Sequence, residues 1–208
     1  MLTPDQFLAF LAASILITVS PGPDNLMVLA TGISKGRSRG MAFGLGAGLG
    51  CLSHTILAVV GVSALIAASP TAFTALKIAG GAYLIWLGIR AIRSSGKIEL
   101  KSSEVESGTT FSFFLKGIFA NAINPKVILF FLSFLPQFVI AQNGAVTWQI
   151  AALGVTFTVQ AAILFTLLGY FSGYVGQWLA ANRRVGLWLD RLAGAVFVGL
   201  GLRLVLAR

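Results

Sequence analysis

The chain has 208 residues, 57% hydrophobic and only 10% charged, with a net charge of +9 and a mean hydropathy of +0.90. A water-soluble domain carries about 25% charged residues, so the composition excludes that class and points to an all-α integral membrane protein. Its Lys and Arg residues fall in short segments between apolar runs, the signature of membrane topology rather than of a nucleic-acid-binding face.

Six transmembrane helices are expected. The first runs from about Pro4 to Ser34 and opens with Thr3-Pro4-Asp5-Gln6: an N-cap, a proline at the first helical position and a Gln for a capping box. The first basic residue is Lys35, so the charged n-region of a secretory signal is missing, and the run is expected to be retained. At its centre lies Ser20-Pro21-Gly22-Pro23-Asp24-Asn25. Each proline removes a backbone donor and clashes with the preceding turn, so the helix must break there. Irregular backbone at membrane depth survives only against protein or a wet cavity. A carboxylate at that depth costs roughly 2.5–3.5 kcal/mol, which makes Asp24 a functional candidate.

The second span, about Met41 to Ala68, carries Gly44 and Gly48, and Gly46 and Gly50, spacings that permit close helix approach. It also holds Cys51, the only cysteine, which excludes an internal disulfide and is expected as a small buried filler. His54, the only histidine, lies mid-span. Two readings stay open for it: a neutral ring bonded to a backbone carbonyl, or a titrating group that couples protons to transport. Ser69-Pro70 ends this span and Pro70 opens the third, about Thr71 to Ile92.

A polar link from Arg93 to Thr110, rich in Ser, Lys and Glu, reads as a flexible loop. Span four, about Phe111 to Ile140, is interrupted near its centre by Asn121-Ala122-Ile123-Asn124-Pro125-Lys126. Span five, about Val146 to Gln177, has Thr156, Thr158 and Gln160 at mid-depth, as interhelical glue or as secondary cavity residues. Span six is expected from about Leu187 to Leu206. Basic residues cluster at Lys35 to Arg39, Arg90 to Lys116 and Arg183 to Arg191, and the alternate loops carry none. By the positive-inside rule those clusters face the cytoplasm and both termini lie outside it.

The chain also reads as a duplication. Gly81-Ala82 through Leu87-Gly88-Ile89-Arg90 matches Gly194-Ala195 through Leu200-Gly201-Leu202-Arg203 in spacing, and the broken span one has its counterpart in the broken span four. Three spans is an odd number, so the second copy is inverted. The expected single transmembrane domain is therefore repeat one, about 1–92, the cytoplasmic link, about 93–110, and repeat two, about 111–208, with helices 1 and 4 broken at midplane. Paired interrupted helices in inverted repeats point to a transporter's substrate site.

Setting Pro23 and Pro125 in register places Asp24 opposite Lys126. Each begins a half-helix whose first N–H groups are free, and two such ends meeting near the midplane suit a carboxylate. Lys126 adds a positive charge and Asp24 a partner for an ammonium group or a proton, so together they suit a zwitterion. The alternative is a direct salt bridge that only joins the repeats. Ser20, Pro21, Gly22, Pro23, Asn25, Asn121, Asn124 and Pro125 complete the candidate substrate site, and some of them are needed to satisfy backbone groups freed at the breaks. Asp24 and His54 are the proton-coupling candidates; Gln160 and Thr156 are secondary cavity candidates. The spans hold no His pair at metal spacing, no paired carboxylates and no nucleophile elbow, so no enzyme, resident metal or cofactor is expected. Inorganic cation efflux, the alternative transport reading, needs several oxygen or soft ligands at mid-depth, where one carboxylate, one His and one Cys are available.

These motifs resemble the lysine exporter (LysE/RhtB) family of amino-acid efflux transporters over the whole chain. The resemblance rests on Ser20 to Asp24 followed by Lys35-Gly36-Arg37, the glycine-rich opening of span two with His54, Gly81 to Gly88, and Asn121 to Lys126. It implies a secondary active exporter of amino acids or close derivatives in the bacterial inner membrane, driven by the proton gradient. The implied partners are the amino-acid substrate, protons and the lipid bilayer, with pairing into a homodimer left open.

Overall fold

A computed structural model describes residues 2–20, 22–62, 69–94 and 108–206. Pro21, the expected end of span two at 63–68 and most of the link between spans three and four lie outside the described residues.

Among the described residues the fold is all-helical, with nine α-helices. The first, α1 (Pro4–Val19), begins as its sequence dictates: Thr3 accepts from the Gln6 backbone, Gln6 returns the bond, and Pro4 needs no donor. After the break, α2 (Pro23–Lys35) sets off at 54° to α1. Only Gly36 separates α2 from α3 (Arg37–Leu57), and its φ of +90° is a conformation that glycine alone adopts without strain. A π-helical turn at Ala58–Val62 follows. Ser69 caps α4 (Pro70–Ile92) through the Ala72 N–H, with proline in the first turn.

The second half opens with α5 (Thr110–Ala122) and breaks at Ile123-Asn124. Its continuation, α6 (Pro125–Leu129), runs through a π turn at Phe130–Phe134 and a 3-10 turn at Leu135–Phe138, bent by 50° from α5. Next come α7 (Val146–Tyr170), α8 (Ser172–Ala181) and α9 (Arg183–Leu206). The expected fifth span thus divides at Phe171 between α7 and α8. Among the described residues, three helices qualify alone as membrane spans by length and apolar composition, Arg37–Gly61, Thr74–Ile92 and Val146–Tyr170; counting each bent pair as one span gives up to five.

Glycines let these helices touch at the backbone. Gly40, Gly44 and Gly48 press α3 onto α7 at Gly169, Phe165 and Ala162, while Gly46 and Gly50 press it onto α5 at Phe114 and Ile118. A Cβ at Gly46 would collide with the Phe114 carbonyl, and one at Gly44 with that of Phe165. The crossing of α4 with α9 is reciprocal: Gly81 faces the Gly201 carbonyl, and Gly194 faces that of Gly88. Gly81 also abuts Val205 as Gly194 abuts Ile92, and Gly88 abuts Val198 as Gly201 abuts Ile85. Within lipid no water is displaced from such contacts, so dispersion and close approach hold the helices together.

The core is aromatic. Phe10 of α1, Phe130 and Phe134 of the π turn, Phe138 and Phe157 of α7 are all buried. Their rings meet at 5.3 Å for Phe10 and Phe138 and 5.0 Å for Phe130 and Phe157. Offset or edge-on ring pairs at this spacing add about 0.5–1.5 kcal/mol each beyond simple burial.

Candidate functional site

The breaks after α1 and α5 lie against each other. Asp24, in the first turn of α2, is only 4% exposed, and Lys126, in the first turn of α6, only 8%. The two do not form an ion pair; each is held by other groups. Asn121 Nδ2 donates to Asp24 Oδ2 at 2.8 Å. Lys126 Nζ donates to the Ser20 carbonyl and to Ser20 Oγ, both at 3.0 Å. The ammonium also lies 5.5 Å from the centre of the Phe197 ring of α9.

Helix ends explain these choices. Ser20 is the C-cap of α1, where unpaired carbonyls carry partial negative charge, so a lysine from the other broken span is well placed there. Asp24 sits at the positive end of α2, whose N-cap is Gly22 and has no side chain to occupy the free N–H groups. A Cβ at Gly22 would lie 3.0 Å from Lys126 Nζ, so glycine leaves room for the lysine chain. At α6 the Asn124 side chain accepts from the Lys126 N–H at 3.0 Å. Only one of the two half-helix ends is thus left without a side-chain cap.

Asn121 is the hub. Besides Asp24, its Oδ1 accepts a weak bond from Cys51 Sγ at 3.4 Å. Its carbonyl lies 3.0 Å from His54 Nε2 and accepts from the Asn124 N–H at 2.9 Å. His54, 1% exposed, therefore reaches Asp24 only through Asn121, and its ring packs 5.6 Å from Phe131. Ser20, Asn25 and Asn124 do repair freed backbone, with Asn25 Nδ2 donating to the Thr18 carbonyl at 2.9 Å and Ser20 Oγ to that of Ile17 at 2.9 Å. Asn121 instead spends its side chain on Asp24 and Cys51.

A small cavity opens here, lined by Ile17, Thr18, Asp24, Asn25, Asn121, Asn124, Lys126, Val127, Phe157 and Phe165. Asp24, Asn25, Asn121, Asn124 and Lys126 are thus brought together as expected, and Ser20 and Gly22 touch Lys126 from behind. Pro23 and Pro125 are exposed, and they shape the breaks rather than the lining. Gln160, 8% exposed, contacts the lining through Thr18, whose hydroxyl takes its Nε2–H at 2.8 Å. Thr156 stands apart, its hydroxyl bonded back to the Ala152 carbonyl at 2.8 Å. Thr18, Phe157, Phe165 and Phe197 were not anticipated. Thr18 carries a recognisable signal, a polar residue in the last turn before a break. The aromatic residues carry none, since a lining Phe and a core Phe look alike in sequence. Among the described residues, no group of three His, Cys, Asp or Glu side chains converges as metal ligands do.

Apolar helices packed through glycine faces around a buried, charged cavity define a multi-pass membrane protein. The chain belongs to the LysE type translocator family, whose family model matches residues 15–208. It is 34% identical over 207 residues to a homoserine/homoserine lactone efflux protein of Salmonella typhi, covering 100% of this chain and 99% of that protein. It is 33% identical over 211 residues to a threonine efflux protein of Escherichia coli K12, covering 97% and 98% respectively. No solved structure matches.

Proposed function

We propose that the chain is a secondary active exporter of amino acids or close derivatives, working by alternating access across the bacterial inner membrane. Family membership supports this reading, as do relatives whose names specify homoserine, homoserine lactone and threonine efflux and whose lengths match almost end to end. The observation that carries it is the cavity between the two breaks, where a carboxylate and an ammonium group are buried without neutralising one another.

In the proposed mechanism the substrate ammonium approaches Asp24. The substrate carboxylate takes the uncapped N-terminus of α2 and the Lys126 proton not spent on Ser20. Drawing Lys126 toward a substrate weakens its hold on the end of α1, which links occupancy to movement between the two halves. Proton exchange occurs at Asp24 or at His54, and Asn121 connects the two. The architecture is six spans in two inverted repeats, with the helix 183–206 as the sixth. Reciprocal glycine contacts between α4 and α9 support it, because each contact of one repeat is matched by its counterpart at the same offset in the other. Both termini face away from the cytoplasm.

The test is counterflow in proteoliposomes with and without an imposed proton gradient. The wild-type protein exchanges labelled amino acid and concentrates it when a gradient is imposed, whereas Asp24→Asn loses the gradient-driven part. No counterflow of any amino acid, or full gradient-driven transport by Asp24→Asn, overturns the reading.

A further inference from the structure

The two broken spans are tied together a second time, away from the cavity, by Gln6 in the first turn of α1. Gln6 is only 9% exposed. Its Oε1 accepts from the Thr3 N–H at 2.8 Å, which completes the helix cap. Its Nε2 donates at 2.7 Å to the carbonyl of Phe138, the last residue of the Pro125–Phe138 segment and 132 positions away. Asn143 Nδ2 reaches the same Oε1 from the following loop at 3.4 Å. The cap alone would take a glutamate as readily as a glutamine. The bond to Phe138 would not, because a carboxylate has no proton to give a carbonyl.

What this bond closes follows from the buried face of α1. Gln6, Phe10, Ser14 and Ile17 succeed one another along it at helical spacing, and Ile17 lines the cavity. A rise of about 1.5 Å per residue puts Gln6 roughly 16 Å beyond Ile17, toward the face where the chain begins. Aromatic rings plug the way between them, with Phe10 meeting Phe138 at 5.3 Å and Phe130 at 6.0 Å. Ser14, one turn further in than Phe10, is fully buried, and its hydroxyl has no hydrogen-bond partner among the described residues. Such a hydroxyl is satisfied once water reaches it. The plugged pair is tied at both ends, by Lys126 to Ser20 at the break and by Gln6 to Phe138 at the far end. On the Phe138 side the loop is clamped to α7. Gln149 Nε2 donates to the Ile140 and Gly144 carbonyls, and its Oε1 accepts from the Ile140 N–H. The clamp holds the loop to α7 whether or not Gln6 stays bonded, so the start of α1 is the side that can leave.

We propose that Gln6 is the latch of an outer gate. The start of α1 parts from the end of the Pro125–Phe138 segment to open the cavity toward the face that carries the termini, and the bond from Gln6 to Phe138 holds that gate shut. This rests on the exporter reading above. Gln6 is a positioning residue, acting on the helix pair and not on substrate. One neutral hydrogen bond shifts such an equilibrium by about two- to tenfold. The gate is tested with Ser14→Cys as reporter, Cys51 being fully buried. A small membrane-impermeant methanethiosulfonate is applied to right-side-out and to inverted membrane vesicles. With Gln6 intact the reporter reacts from the outer face. Gln6→Glu, which keeps an acceptor for the cap but loses the donor to Phe138, speeds that reaction about two- to tenfold and does not speed it from the inner face. Thr3→Ala is the control for stability, since it removes the hydroxyl that caps α1 and leaves Gln6 Nε2 in place. It lowers the melting temperature and keeps the outer-face rate within about twofold of the reporter chain. A reporter that never reacts from the outer face with Gln6 intact overturns the gate, and that measurement needs no latch variant to fold. Equal acceleration by Gln6→Glu and Thr3→Ala, or acceleration from both faces alike, also overturns it, because a loosened fold does not choose a side. Should the wild-type chain exchange no amino acid in proteoliposomes, the exporter reading itself has failed. Exchange together with an unchanged outer-face rate in Gln6→Glu defeats the latch alone.

Discussion

Asn121 joins the two broken spans through its side chain, which donates to Asp24, while its carbonyl meets His54 of α3; replacing the side chain isolates the first of these bonds. Asn121→Leu keeps the volume but strips Asp24 of its Nδ2 donor. A buried charged group that loses its partner costs about 1–3 kcal/mol or more, so the variant should melt lower in detergent and lose most of its transport in proteoliposomes. Lys126→Met separates charge from bulk at the second position. It leaves the Ser20 carbonyl and hydroxyl without their cation, and a folded protein with export reduced at least about tenfold is expected. Wild-type rates from Lys126→Met would remove the lysine from the mechanism. The presence of both charges was legible in the chain, because a membrane-embedded Asp or Lys stands out by its cost. Their partners were not: that Asp24 takes Asn121 and Lys126 takes Ser20 depends on how two half-helices are aimed.

At the scale of elements, the proline breaks and the glycine faces do different work. Asn124 caps α6, and removing that cap in Asn124→Ala should destabilise the protein by about 1 kcal/mol, read as a lower melting temperature. The glycines matter for clearance. Gly46→Leu drives a side chain into the α5 backbone and is expected to abolish folded protein in the membrane. Gly199→Leu, at a position with open space around it, should leave expression and melting near wild type. Equal behaviour of the two variants would show that the close approach of α3 to α5 is unimportant. Element starts were readable from Thr3, Ser69 and the prolines, because caps act within one turn. The π turns at Ala58–Val62 and Phe130–Phe134 were not, because nothing in a local apolar run marks a widened turn.

For the molecule as a whole, topology is the decisive measurement. Cys51 is fully buried, so it serves as a silent background for single added cysteines. Ser38→Cys, beside the basic cluster, should label with a membrane-impermeant maleimide only in inverted vesicles, and Gln142→Cys only in right-side-out cells. Labelling of both from one side would refute the proposed orientation and, with it, an odd number of spans per repeat.

The amino-acid sequence by itself determined the membrane class, the family, the two proline breaks in spans one and four, and the pair of charges too costly to bury without use. Each of these is a local or compositional property, set by how a residue and its near neighbours behave in lipid. Only the tertiary structure decided which groups meet across the breaks, which of the two half-helix ends stays open, and that Thr18 gathers two amides at one corner of the cavity. The bonds across the breaks join residues 97 and 106 positions apart, and the packing angle of one helix on another fixes them.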